Sequence, residues 1–364
     1  FILFIPFSLI DYLYLISFSR PFLFTYSQML RTSIRAFSTQ PRLSTNYGFI
    51  GLGLMGQHMA RHVYNQLEPS DKLYVYDVDP KHTTQFLTEV TSQTPQNAPL
   101  LTPLNSLKDF TTEVDSQLDF IVTMVPEGKH VKSVVSELVG HYKSTGNYDP
   151  SIKTTFLDSS TIDIPTSRDV HQLVKSSIPE FDFIDIPVSG GVAGARKGTL
   201  SFMLSRETHD DIDPSLTALL SKMGINIFPC GATHGTGLAA KLANNYLLAI
   251  TNIAAADSFQ LAKSFGLNLQ NYAKLVAVST GKSWASVDNC PIPGVYPDNN
   301  LPSDVNYEGG FITKLTRKDV VLATESAKFN NRFLMLGDIG RHWYDKACER
   351  EDIANRDLSV LFEW

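Results

Sequence analysis

A chain of 364 residues with a 43% hydrophobic share and a formal net charge of −6 is long enough for two domains with sizeable cores. Its body carries no basic stripe, which excludes nucleic acid as the main partner. The three cysteines, Cys230, Cys290 and Cys348, are too widely separated for a zinc motif or a disulfide framework, which suits a reducing compartment.

Residues 1–18 are almost wholly apolar, the composition of a marginal membrane span or a signal-peptide core. From Met29 the composition changes. Arg31, Arg35 and Arg42 stand among serines and threonines, and no acid occurs before Asn46. Leu30, Ile34 and Phe37 lie about a helical turn apart and supply one apolar face. The stretch reads as a mitochondrial presequence starting at Met29 and ending near residue 44, with 1–28 an upstream extension. The alternative is a genuine membrane anchor. Residues 1–46 are set aside from the fold, and no stable membrane association is expected.

From residue 47 a short apolar strand leads into Gly51-Leu52-Gly53-Leu54-Met55-Gly56 and then a helical pattern. The first glycine permits the tight turn, the second lets a pyrophosphate approach the backbone, and the third lets helix and strand pack closely. The helix start then presents free N–H groups and a positive dipole end. A second strand, 72–77, ends in Asp77, about 20 residues on, where a ribose hydroxyl is read. An acid there repels the 2′-phosphate of NADP and favours NAD, a preference that Lys81 and His82 soften. His58 and His62 lie one turn apart in the first helix, but no third ligand stands near them. They read as a partly exposed helix face, and no metal is expected.

Further strands are predicted within 118–126, 154–161 and 181–190, with helices between them. This alternation predicts an α/β fold, a Rossmann-type doubly wound, mostly parallel sheet over 47–233. Ligands in such sheets sit beyond the carboxyl ends of the strands. Val125-Pro126, Ser160-Thr161 and Ser189-Gly190-Gly191 are therefore candidates. From 234 onward long helical patterns predict an all-α second domain, interrupted by a Pro- and Gly-rich loop at 288–311. Its opening segment, 235–250, reads as core yet holds Lys241 and Asn245 one turn apart. A lysine desolvated in an interdomain cleft can act as a general acid/base.

These motifs, with "DSSTID" (158–163), "DIPVSGGVAGARKGTL" (185–200), "GTGLAAKLANN" (235–245) and "KLTRKDVVLA" (314–323), resemble the β-hydroxyacid dehydrogenases from about residue 47 to the C-terminus. Segments 279–295 and 306–311 resemble the branch of that family that acts on 3-hydroxyisobutyrate. The resemblance implies NAD-dependent oxidation of a small 3-hydroxy acid and assembly as a homo-oligomer, a dimer or tetramer, in the mitochondrial matrix. It implies Lys241 as acid/base, with Asn245 positioning the substrate beside it. Ser189, Gly190 and Gly191 would hold the substrate carboxylate and hydroxyl. Lys318 and Asp319 would close the cleft, Lys318 near the cofactor as well. Val125, Pro126 and Thr161 would contact the nicotinamide half, and His130 stands at a cofactor position where the family often has asparagine. Two alternatives remain: a tartronate or succinate semialdehyde reductase type of the same family, and a non-catalytic dinucleotide-binding scaffold.

Overall fold

The computed structural model describes residues 44–364. The expectations for 1–43, including the presequence and its start at Met29, lie outside the described residues.

Chain order begins with β1 (Asn46–Ile50), α1 (Gly56–Asn65), β2 (Lys72–Tyr76), α2 (Pro80–Gln93), β3 (Leu101–Pro103) and the short α3 (Asp109–Thr112). It continues with β4 (Phe120–Thr123), α4 (Gly128–Thr145), β5 (Thr155–Asp158), α5 (Ile164–Ser177) and β6 (Asp182–Asp185). The six strands form one parallel sheet in the order β3-β2-β1-β4-β5-β6. The order reverses at β1 and β4, which opens a crevice at their carboxyl ends. Strands β1, β4, β5 and β6 are buried throughout, as a sheet covered on both faces requires. Their side chains feed two cores. One contains Phe49, Leu73, Val122 and Ile184 beneath α1; the other contains Ile121, Phe156 and Phe183 with Val135 and Val170 from α4 and α5.

The strands are shorter than their apolar runs suggest. Asn46, assigned from sequence to the excluded leader, is instead the first residue of β1. Its amide donates to Asp119 Oδ2 at 2.8 Å, while the Thr45 amide donates to Asp71 Oδ1 at 2.9 Å. The fold therefore begins a little before Tyr47.

A second small sheet, not expected from sequence, follows. Strands β7 (Val188–Ser189), β8 (Leu200–Leu204) and β9 (Gly224–Pro229) pair in that order, antiparallel and then parallel. Helices α6 (Gly191–Lys197) and α7 (Pro214–Met223) connect them. The remainder is helical, as expected: α8 (Thr236–Ser264), α9 (Leu269–Val278), α10 (Thr313–Phe329), α11 (Gly337–Cys348) and α12 (Glu351–Ala354). Small residues of α8, Ala249 and Ala256, let Val320 and Tyr344 pack closely around Phe259. The 288–311 loop contains only short 3₁₀ turns, at Pro297–Asn299 and Pro302–Val305. Within it the Tyr307 hydroxyl donates to the Pro291 carbonyl, and the Asn289 amide ties it to Asp357 outside the loop. Among the described residues no helix is long and apolar enough to cross a membrane.

Candidate active site

The glycine loop joins β1 to α1 at the reversal point. A Cβ on Gly51 would collide with the Met124 carbonyl, and one on Gly56 with the Gly51 carbonyl. Gly51 also has φ +96°, a left-handed conformation that favours glycine. Gly53 differs, because nothing lies within 4 Å of where its Cβ would be. Its conformation and packing do not demand glycine, so its missing side chain leaves room for a ligand. The open backbone at the start of a helix fits a dinucleotide pyrophosphate. Leu54 beside it is exposed, and Met55 precedes the first helical residue.

Asp77 follows β2 as the sequence predicts. Its Oδ2 accepts from the Leu52 amide at 2.6 Å, which ties the carboxylate to the glycine loop. Oδ1 accepts from the Asp79 amide at 2.8 Å and lies 3.2 Å from His82 Nδ1. Each carboxylate oxygen has more than one lone pair, so these bonds orient Asp77 without filling its accepting capacity.

The cleft's second wall comes from α8 and α10. Lys318 spans the two walls: its ammonium donates to the Thr161 carbonyl at 2.9 Å and reaches the Pro126 carbonyl at 3.5 Å. It also lies 3.8 Å from Asp319 Oδ1, while Asn245 Nδ2 donates to Asp319 Oδ2 at 2.6 Å. Lys241, one turn before Asn245 on α8, is buried, and among the described residues no group hydrogen-bonds its amine. Burial pulls its pKa below the ordinary lysine value; Asp319 opposes that and Lys318 adds to it. Burial likewise raises the Asp319 carboxyl, against Lys318, Lys241 and the Asn245 bond. Leu238 and Leu242 flank Lys241 and pack into the same core as Ile162, Ile164 and Val125. The structure thus brings together Val125, Pro126, Thr161, Lys318, Asp319, Asn245 and Lys241. His130 lies in the first turn of α4, and its Nδ1 is buried without a hydrogen-bond partner.

Ser189 ends β7, Gly190 links it to α6, and Gly191 opens that helix. Gly190 has φ +130° and Gly191 φ +59°, so the turn favours glycine at both. The turn is open to solvent and nothing lies within 4 Å of a Cβ on Gly191. Helix α1 braces this segment: Arg61 donates to the Arg196 carbonyl and His62 Nε2 lies 3.0 Å from the Ala195 carbonyl. The histidine pair is therefore partly occupied in packing rather than standing free.

Two buried acids were quoted within sequence motifs but given no role. Asp158, at the end of β5, is pushed up to about 7 by burial, against hydrogen bonds from Ser160 and Thr123. Its Oδ1 accepts from Thr123 Oγ1 at 2.8 Å and the Ser160 amide at 3.1 Å; Ser160 Oγ in turn accepts from the Val125 amide at 2.9 Å. Asp185, one strand over in the same register, is fully buried. The legible signal was an acid ending an otherwise apolar strand.

Comparison with known proteins covers nearly the whole of the described chain. Residues 46–231 match the NAD binding domain of 6-phosphogluconate dehydrogenase, and residues 235–364 match the NAD-binding of NADP-dependent 3-hydroxyisobutyrate dehydrogenase. The chain is 34% identical over 333 residues to the mitochondrial 3-hydroxyisobutyrate dehydrogenase of Drosophila melanogaster, covering 92% of this chain and 93% of that one. It is 33% identical over 343 residues to the human mitochondrial enzyme of that name, covering 93% of each. A solved Mycobacterium tuberculosis 3-hydroxyisobutyrate dehydrogenase with L-serine superposes with a TM-score of 0.73 at 29% identity, covering 88% of this chain and 99% of that one. A nucleotide-binding sheet, a helical wall and similarity across nearly the whole length lead to one assignment: the chain belongs to the 3-hydroxyisobutyrate dehydrogenase family and is an NAD-binding dehydrogenase.

Proposed function

We propose that the protein oxidises 3-hydroxyisobutyrate to methylmalonate semialdehyde, a step of valine breakdown, with Lys241 as the general base. The observation that carries this reading is the buried Lys241 side chain, whose amine has no hydrogen-bond partner among the described residues. An amine held there deprotonates more readily than an exposed one and is free to meet a ligand's hydroxyl. Bound NAD supplies the hydride acceptor. Lys241 takes the hydroxyl proton of the primary alcohol, and in reverse it returns that proton. Asn245, fixed by its bond to Asp319, orients the hydroxyl. Ser189, Gly190, Gly191 and Lys318 hold the carboxylate, and Val125, Pro126, His130 and Thr161 line the nicotinamide half.

NAD rather than NADP follows from Asp77, whose charge would repel a 2′-phosphate. NADP use has two observations in its favour: residues 235–364 match a family model described by an NADP-dependent enzyme, and His82 lies against Asp77, where a protonated imidazole would offset the acid. The relatives' mitochondrial names support a mitochondrial protein, and we place it in the matrix as a homo-oligomer, a dimer or tetramer. Exposed Phe333, Met335, Ile339 and Trp343 on the helical region supply apolar surface for such assembly. We divide the fold into a dinucleotide-binding domain ending near 233 and a helical substrate domain from 234.

The test is NADH formation on 3-hydroxyisobutyrate, serine, tartronate and 4-hydroxybutyrate side by side. Highest kcat/KM on 3-hydroxyisobutyrate supports the reading; preference for tartronate or 4-hydroxybutyrate moves the protein to the reductase branch. Absence of turnover on all four favours a scaffold.

A further inference from the structure

Helix α8 carries Lys241 about a turn and a half from its first residue, and its start has no side-chain cap of its own. The four leading amides of a helix need partners from elsewhere. The Thr236 amide bonds the Thr233 carbonyl, and the other three find side chains at the ends of strands from two different sheets. Asp185, ending β6, accepts from the Gly235 amide on Oδ1 at 3.1 Å and from the Leu238 amide on Oδ2 at 2.9 Å. Ser205, just after β8, accepts on Oγ from the Gly235 amide at 3.0 Å and the Gly237 amide at 3.2 Å, and donates to Asp185 Oδ1 at 2.6 Å. Both side chains are buried. A Cβ on Gly237 would collide with the Met203 carbonyl and come within 2.9 Å of Asp185 Oδ2, so the helix start sits as close to the strands as backbone allows.

We propose that Asp185 and Ser205 form a positioning clamp that sets the Lys241 amine at its working distance from the substrate turn. The inference rests on the reading of Lys241 as the base. Asp185 is suited to this because the same short segment that ends β6 leads, four residues later, into Ser189-Gly190-Gly191. One carboxylate thus fixes the base's helix to the end of β6, from which the chain runs on into the carboxylate-binding turn. Its negative charge also faces the positive end of the α8 dipole. His234, whose Nδ1 lies 3.5 Å from Asp185 Oδ1 and whose Nε2 lies 3.0 Å from Ser167 Oγ, gives this corner the look of a nucleophile triad. Ser167 is fully buried, however, so no substrate reaches it. The cluster serves the helix start.

The test compares Asp185→Asn, Ser205→Ala and Lys241→Ala in the full-length protein. In Asp185→Asn an N–H must face an N–H of α8 and the charge is gone. Misplacing a catalytic group by about 1 Å lowers rate by up to about 10²-fold, so kcat should fall at least about tenfold in Asp185→Asn and about threefold or more in Ser205→Ala. NAD affinity and KM for the hydroxy acid should stay within about twofold, since the glycine loop and the substrate turn are untouched. Hydrogen exchange of amides 235–241 should quicken while that of β1 and β4 holds. A kcat within about twofold of the parent in both variants overturns the clamp, as does a kcat loss matched by equal losses of NAD affinity and thermal stability. If Asp185→Asn fails to fold, Ser205→Ala decides by the same criteria. An active Lys241→Ala variant would instead refute the base assignment, and the exchange data would still judge whether the helix start is clamped.

Discussion

A lysine amine that burial holds below its ordinary range stays neutral over a wider span of pH, and a base must be neutral to act. Oxidation should therefore rise with pH through the Lys241 pKa, with its midpoint below the usual lysine value; reduction, which needs the ammonium, should fall over the same range. Asp319 favours the ammonium, so Asp319→Asn should move that midpoint to lower pH. Lys318 disfavours it, so Lys318→Met should move it up; pH profiles of kcat/KM in both directions check the pair. Lys241→Ala should lower kcat by about 10²- to 10⁴-fold and leave NAD affinity nearly intact. Retention of more than about a tenth of kcat would remove the lysine from the chemistry. At Asp77, replacement by Arg should shift the NAD-to-NADP ratio of kcat/KM toward NADP, by removing a repulsion and adding a phosphate partner. An unchanged ratio would assign ribose recognition to another group. Lys241 was legible because a charge interrupts an apolar helix. The clamp role of Asp185 and Ser205 was not, because it depends on two strand ends meeting one helix start across sequence distances of 50 and 30 residues.

The connection from β1 to α1 separates glycines needed by the fold from one needed by a ligand. Gly56→Ala must push backbone apart, so it should lower the melting temperature and weaken NAD binding together. Gly53→Ala meets open space, so the melting temperature should hold while NAD affinity drops; calorimetry and nucleotide titration distinguish the two. A loss of stability in Gly53→Ala would show that the loop's openness does not reflect room for a phosphate. Strand-by-strand legibility followed burial. The strands β1, β4, β5 and β6 announced themselves as apolar runs because both faces are covered. β7, only two residues long, was merged with β6 in the strand predicted over 181–190, and β8 and β9 escaped notice, β9 because it exposes Ile225 and Phe228. The helical half was plain from its periodicity, although its opening boundary depended on the glycines before Thr236.

Across the molecule, the edges of the fold decide what can be removed. A chain shortened to begin at Ser44 keeps the Thr45–Asp71 and Asn46–Asp119 bonds and should match the full chain in activity and melting temperature. One beginning at Tyr47 loses both, at about 1 kcal/mol each, and should melt several degrees lower while its kcat is unchanged. Equal melting temperatures would mean that β1 needs nothing before Tyr47. The longest helix has a mechanical consequence for the whole. At 29 residues α8 is a rod about 44 Å long, and its first turn is clamped. That end acts as a fulcrum. A tilt of one degree about it swings the far end, where Leu261 and Phe265 are exposed, by about 0.8 Å. The amine-bearing residue, only about 8 Å from the fulcrum, moves by about 0.1 Å. Strain applied at the distal tip is geared down before it reaches the reacting atoms.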